Sequence, residues 1–145
     1  MIDRERLMRL ALHEAAQAAA EGEIPVGAVV ARGDEVIASA HNARERLCDP
    51  TAHAEIQALR IAAKAQGSTD LSGSVMSASG YPCSMCHTAM LQAGVKKVYF
   101  AYSNEDGEPY DLSAARGYVE LAKPEEQREM ALIGQRVRDE GEDLY

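Results

Sequence analysis

Asp49-Pro50-Thr51-Ala52-His53-Ala54-Glu55-Ile56 is the stretch that organises the rest of the chain. Asp followed by Pro is a helix-start signal, a side-chain cap and then a residue that needs no N–H. The spacing predicts a helix over 51–66, with Ile56, Leu59, Ile61 and Ala63 available for burial and Gly67 as its stop. His53 and Glu55 fall at the front of that helix. A second run, Pro82-Cys83-Ser84-Met85-Cys86, repeats the arrangement: proline opens a helix over 83–93, and Gly94 closes it.

Outward from these two runs, residues 3–21 carry Leu7, Leu10, Ala11, Ala15 and Ala18 at helical spacing, with Gly22 as a stop. The apolar stretch 25–30, the turn Gly33-Asp34 and the stretch 35–40 read as a hairpin. Residues 71–79 read as a short buried strand, and 95–102, with Val95, Val98, Tyr99 and Phe100, as the clearest one. A polar loop with Asn104, Asp106, Gly107 and Pro109 follows, then a helix over 112–121. Residues 130–137 fit a final strand or a helix, and the acidic tail 139–143 ends in Leu144-Tyr145, which could dock it. Two β-to-α steps followed by a strand imply a mixed sheet flanked by helices, in one α/β domain over residues 1–145. There is no internal repeat, low-complexity tract or linker.

A chain of 145 residues with 46% hydrophobic content suffices for one core. It has no run of about eighteen apolar residues, so no membrane span is expected. Asp3, Arg4, Glu5 and Arg6 precede the first apolar residues, the wrong order for a secretory signal. Cys48, Cys83 and Cys86 are an odd set with two members three apart, which argues for a reducing compartment, the cytoplasm, and against a disulfide framework. The net charge of −8 is uneven: residues 1–102 hold 10 basic and 11 acidic side chains, residues 103–145 hold 5 and 12. Nucleic acids are bound largely by neutralising phosphates, so the acidic C-terminal third disfavours such a partner.

The chemistry lies in His53, Glu55, Cys83 and Cys86. Two cysteines three apart on a helix share a face, and a helix N-terminus favours their thiolates. Two thiolates and one imidazole suit zinc, and three protein ligands leave a fourth position for solvent, as catalytic zinc sites do. Glu55, two residues from His53, can sit beside the metal without ligating it and carry protons. A redox Cys-x-x-Cys pair would leave the glutamate-bearing motif as coincidence. A closed structural zinc site would need a fourth ligand. His87 is adjacent to Cys86 and turned about 100° from it on the helix, and Cys48 could reach only by loop folding. His13 reads as a surface or packing histidine, and His41 as positional rather than catalytic.

His53-x-Glu55 followed by Pro82-Cys83-x-x-Cys86 is the signature of zinc deaminases. Together with residues 24–30, Asn42 and the stretch 49–56, it resembles the cytidine deaminase-like superfamily, in its branch with one His and two Cys ligands. The likeness covers nearly the whole chain. It implies a three-layer α/β/α sandwich with a central mixed five-stranded sheet, and a homodimer. It also implies Zn2+ at His53, Cys83 and Cys86, and Glu55 as proton shuttle. By the same resemblance Asn42 hydrogen-bonds the base and the Ala54 backbone N–H contacts its ring edge.

The first half looks like bacterial tRNA adenosine deaminases and small guanine deaminases alike. The segment 102–107 lacks the Asp and Lys-x-Gly-Ala pattern of the tRNA enzymes and looks more like the guanine deaminases, where an acidic residue reads the base. Asp106, or else Glu105, would be that reader, because guanine presents N1–H and a 2-amino group as donors; a solvated loop acid fits the same position. Residues 123–126 and 142–145 also look like the free-base and nucleoside enzymes. Tyr81 departs from both subfamilies, which place Glu there. It borders the expected pocket, or else is an ordinary packed aromatic. The expectation is a hydrolytic deaminase of a small amino-heterocycle, guanine-like first. The alternatives are tRNA adenosine-to-inosine deamination, cytosine or cytidine deamination, and a deaminase-fold binding subunit without turnover.

Overall fold

A computed structural model of the chain describes residues 3–135. Helix α1 (Arg4–Ala20) is capped by Asp3, whose carboxylate accepts the Arg6 N–H at 3.0 Å. Leu7, Ala11, Ala15 and Ala18 form its buried stripe. Strands β1 (Gly27–Arg32) and β2 (Glu35–His41) make the expected antiparallel hairpin, turned at Gly33, whose φ of +59° suits glycine. The short helix α2 (Arg44–Leu47) and helix α3 (Ala54–Gln66) lead to β3 (Ser74–Gly80). Helix α4 (Ser84–Gln92), β4 (Val98–Tyr102), the short helix α5 (Asn104–Gly107) and helix α6 (Ala115–Ala122) complete the order.

The sheet runs β2-β1-β3-β4, with β3 antiparallel to β1 and parallel to β4. It separates two apolar layers, as alternation along each strand requires. Ala28, Val30 and Met76 pack with Ala54, Ala58 and Ala62 of α3 and with Cys86 and Met90 of α4. Val29 and Ala31, on the opposite face, pack with Leu7 and Ala11 of α1. The result is a helix–sheet–helix sandwich around a mixed sheet. Alanines in both layers let helix and sheet approach closely, most of all at Gly27, where an added Cβ would stand 2.1 Å from the Ala11 carbonyl oxygen.

Several expectations need correction. The sheet has four strands among the described residues, not five. The segment 130–137 forms neither helix nor strand through residue 135, and its last two residues lie outside the described residues, as does the tail 139–145. The helix expected over 51–66 begins at Ala54, because Asp49 does not cap it. Its Oδ1 accepts from the Thr51 N–H at 2.8 Å and the Thr51 hydroxyl at 2.7 Å, closing a turn of its own. Ile61, expected inside, is 47% exposed, and the sheet-facing stripe of α3 is Ala54, Ala58, Leu59 and Ala62. The polar loop after Tyr102 is wound into α5 and a 3-10 turn over Glu108–Tyr110. The following helix starts at Ala115, three residues later than expected. No described helix is long and apolar enough to cross a membrane.

Candidate active site

The late start of α3 leaves His53 in extended backbone at its N-cap, and Cys83 occupies the same position on α4. Two helix N-termini thus present their first side chains to one point. His53 Nδ1 lies 3.5 Å from Cys83 Sγ and 3.7 Å from Cys86 Sγ, and the three ligand atoms all fall within 4.8 Å of one another. Zinc bonds of about 2.3 Å to sulfur and about 2.0 Å to nitrogen, at tetrahedral angles, set nitrogen and sulfur about 3.5 Å apart. The residues fit zinc. Among the described residues no fourth side chain joins this group. His87 instead meets the Tyr118 hydroxyl at 3.1 Å, and Cys48 is exposed with its thiol on the Glu45 carbonyl.

The electrostatics fit a cation as well. Hydrogen bonding with Cys86 lowers the Cys83 thiol to about 4 against the opposing effect of burial, with help from His53. The same pairing, with burial, pushes the Cys86 thiol up. Two adjacent thiolates repel, so a divalent ion between them is what lets both ionise. The His53 imidazole is held up by its bond to Cys83, against burial. Glu55, only 3% exposed, is raised chiefly by desolvation, and its Oε2 accepts from the Cys86 thiol at 3.5 Å.

His53, Glu55 and Cys83 line a cavity of about 930 Å³ together with Asn42, Tyr81 and Asp106. Asn42 is 2% exposed, and its Oδ1 accepts the Arg44 N–H at 3.1 Å, leaving the amide N–H groups for a ligand. Glu23 fixes that arrangement from below α2. Its two carboxylate oxygens accept the Glu45 and Arg46 N–H groups at 3.1 and 2.7 Å, and those bonds, the Arg46 one foremost, hold its carboxyl below the usual range. Ala54 is fully buried as the first residue of α3, where its N–H has no intrahelical acceptor. Asp106 faces the cavity, while its Oδ2 accepts from the Ser103 N–H at 2.8 Å and the Ser103 hydroxyl at 2.9 Å. Glu105 does not line it. Tyr81 lines the cavity and also packs edge-on to Phe100 at 5.0 Å, so pocket rim and packed aromatic are both true of it.

Sequence reasoning did not anticipate the cavity wall from α1, made of Leu12, Ala15, Ala16 and Ala19. Helical periodicity marked Ala15 for burial without saying that a cavity lay beside it. His41 is positional, as expected: Nδ1 meets Glu14 at 2.7 Å and Nε2 meets Glu21 at 2.9 Å, tying the end of β2 to α1. His13 is on the surface beside Gln17.

Residues 1–102 match the family described as the cytidine and deoxycytidylate deaminase zinc-binding region. A tRNA-specific adenosine deaminase of Aquifex aeolicus is 39% identical over 98 residues, 68% of this chain and 65% of that protein. The guanine deaminase of Bacillus subtilis is 36% identical over 72% of this chain and 67% of that protein. A crystal structure of guanine deaminase from B. subtilis superposes with a TM-score of 0.87 at 30% identity, covering 94% of this chain and 88% of that one. The aligned stretch thus spans somewhat under two thirds of the Aquifex enzyme.

Proposed function

The chain belongs to the zinc-binding family of cytidine and deoxycytidylate deaminases, and from that membership we propose a hydrolytic deaminase of a nucleobase or related amino-heterocycle, guanine first among them. The observation that carries the choice of guanine is the extent of the structural likeness. The family match ends at Tyr102, whereas the likeness to the guanine deaminase extends over 94% of the chain, past the segment that holds Asp106.

Zinc held by His53, Cys83 and Cys86 supplies the Lewis acidity that makes water acidic near neutral pH. The rest falls to the chain. Asn42 donates its amide N–H to an acceptor on the ring, and the Ala54 N–H meets the ring edge. Asp106 accepts from N1–H and the 2-amino group through the oxygen not engaged with Ser103. Glu55 carries both protons of the attacking water in turn, the first to the ring nitrogen and the second, lost as the new hydroxyl becomes a carbonyl, to the departing amine, which leaves as ammonia. Its buried, raised carboxyl suits both halves of that traffic. A binding subunit without turnover would have no need of a carboxylate in that position. A homodimer belongs to the same reading, supported by exposed Phe100 and Tyr102 on the edge strand β4.

A second reading, tRNA adenosine deamination, is favoured by the 39% identity to the Aquifex enzyme. The 12 acidic against 5 basic residues beyond Tyr102 weigh against a polyanionic substrate. Ammonia release assayed on guanine, adenine, cytosine and their nucleosides, beside inosine formation in a tRNA anticodon stem-loop, separates the two. Guanine turnover is expected; silence on guanine with inosine in the stem-loop reverses the assignment.

A further inference from the structure

Helix α6 meets the metal-binding turn at one place. Gly117 rests on the first turn of α4 so closely that an added Cβ would stand 2.4 Å from the Ser84 hydroxyl. The next residue, Tyr118, donates its hydroxyl to the Pro82 carbonyl at 2.6 Å and receives the His87 Nδ1–H at 3.1 Å. Its ring stands edge-on to Tyr81 and to His87, each 5.8 Å away between centroids. Burial, joined by the neighbouring Tyr81 and the two thiols, pushes the phenol up to about 12, so it remains a donor.

Pro82 and Ser84 are the two chain neighbours of Cys83; α6 hydrogen-bonds the first and lies close against the second. The Pro82 carbonyl belongs to the peptide whose plane sets the direction in which Cys83 leaves the chain, and Cys83 is the N-cap of α4. Partners that orient the ligands of a metal govern how tightly it is held.

We propose that Tyr118 is a positioning residue for the metal centre: its hydroxyl fixes the Pro82–Cys83 peptide so that the Cys83 sulfur faces His53 and Cys86, and α6 thereby sets the hold on zinc. The inference rests on the zinc reading of the site but not on which heterocycle is turned over.

The test is Tyr118→Phe, which keeps the ring and removes the hydroxyl, read by transfer of zinc to a chromogenic chelator and by the visible spectrum of the cobalt(II)-loaded protein. Zinc release on the order of tenfold faster than wild type is expected, with altered cobalt bands and an unchanged far-UV spectrum. Val119→Ala, on the 61% exposed neighbour in the same helix, is expected to release zinc at the wild-type rate. Wild-type release from folded Tyr118→Phe would overturn the proposal, as would equal acceleration by Val119→Ala. Because neither readout uses a substrate, a failed guanine assay leaves this result standing.

Discussion

The thiol of Cys86 lies 3.5 Å from Oε2 of Glu55, 31 residues earlier in the chain, so a member of the metal-binding group touches the carboxylate proposed as proton carrier. The contact exists because α3 and α4 both begin at the cavity, and each places its reactive side chain in its first turn. Chemistry and metal binding are therefore adjacent but separable. Glu55→Gln is expected to lower turnover by about 10²- to 10⁴-fold, the usual contribution of a positioned acid–base group. Zinc content should stay at the wild-type level. Ammonia release and metal analysis on the same preparation check it, and retained turnover would remove Glu55 from the mechanism.

Asp106 tests the substrate. Asp106→Asn keeps an oxygen for the Ser103 cap but loses the charge offered to two donors of the base. A hydrogen bond to a charged group contributes about 1.5–3 kcal/mol, so kcat/KM for guanine should fall roughly ten- to a hundredfold at unchanged melting temperature. Equal activity would return Asp106 to a purely capping role.

His41 makes stability pH-dependent. Burial acts to lower its pKa, but the bonds to Glu14 and Glu21 outweigh burial and the net direction is up. A raised folded-state pKa means the stabilisation is fully present below the unfolded value of about 6.5 and fades as pH rises through the higher folded value. The melting-temperature gap between wild type and His41→Asn should therefore be widest near pH 6 and narrow toward pH 9. A gap that does not change with pH would contradict the ion-pair account.

Gly27 is the tightest point between sheet and helix. An alanine there meets the Ala11 carbonyl oxygen at 2.1 Å and the Ala15 nitrogen at 2.6 Å, both main-chain atoms that cannot swing away. Gly27→Ala is expected to cost at least the 1–3 kcal/mol or so typical of overpacking. Chemical denaturation measures it directly; a neutral result would mean α1 sits further from β1 than described.

The metal group was legible in the sequence because its parts are local. His53-x-Glu55 and Pro82-Cys83-x-x-Cys86 each need only a helix N-terminus to aim their side chains, and proline and glycine mark where such helices start and stop. The helix boundary at Ala54 was less legible, since Asp49 can either cap a helix or close a turn on Thr51, and both use the same carboxylate. Ile61 was misjudged because two adjacent stripes of α3 are apolar and only the packed sheet selects the alanine one. The winding of α5 had a sequence signal, Ser103-x-x-Asp106, that matches the capping box it forms. Tyr118 had none: its role depends on where α6 docks, and no spacing within α6 encodes that.

The central claim is that three side chains, and no fourth, hold a metal beside Glu55. X-ray absorption at the zinc edge of the purified chain reads the ligand set directly. Two sulfurs at about 2.3 Å and two lighter atoms at about 2.0–2.1 Å are expected, with both sulfurs lost in Cys83→Ala/Cys86→Ala. A third sulfur, which Cys48 would have to supply, or a zinc shell without sulfur would contradict it.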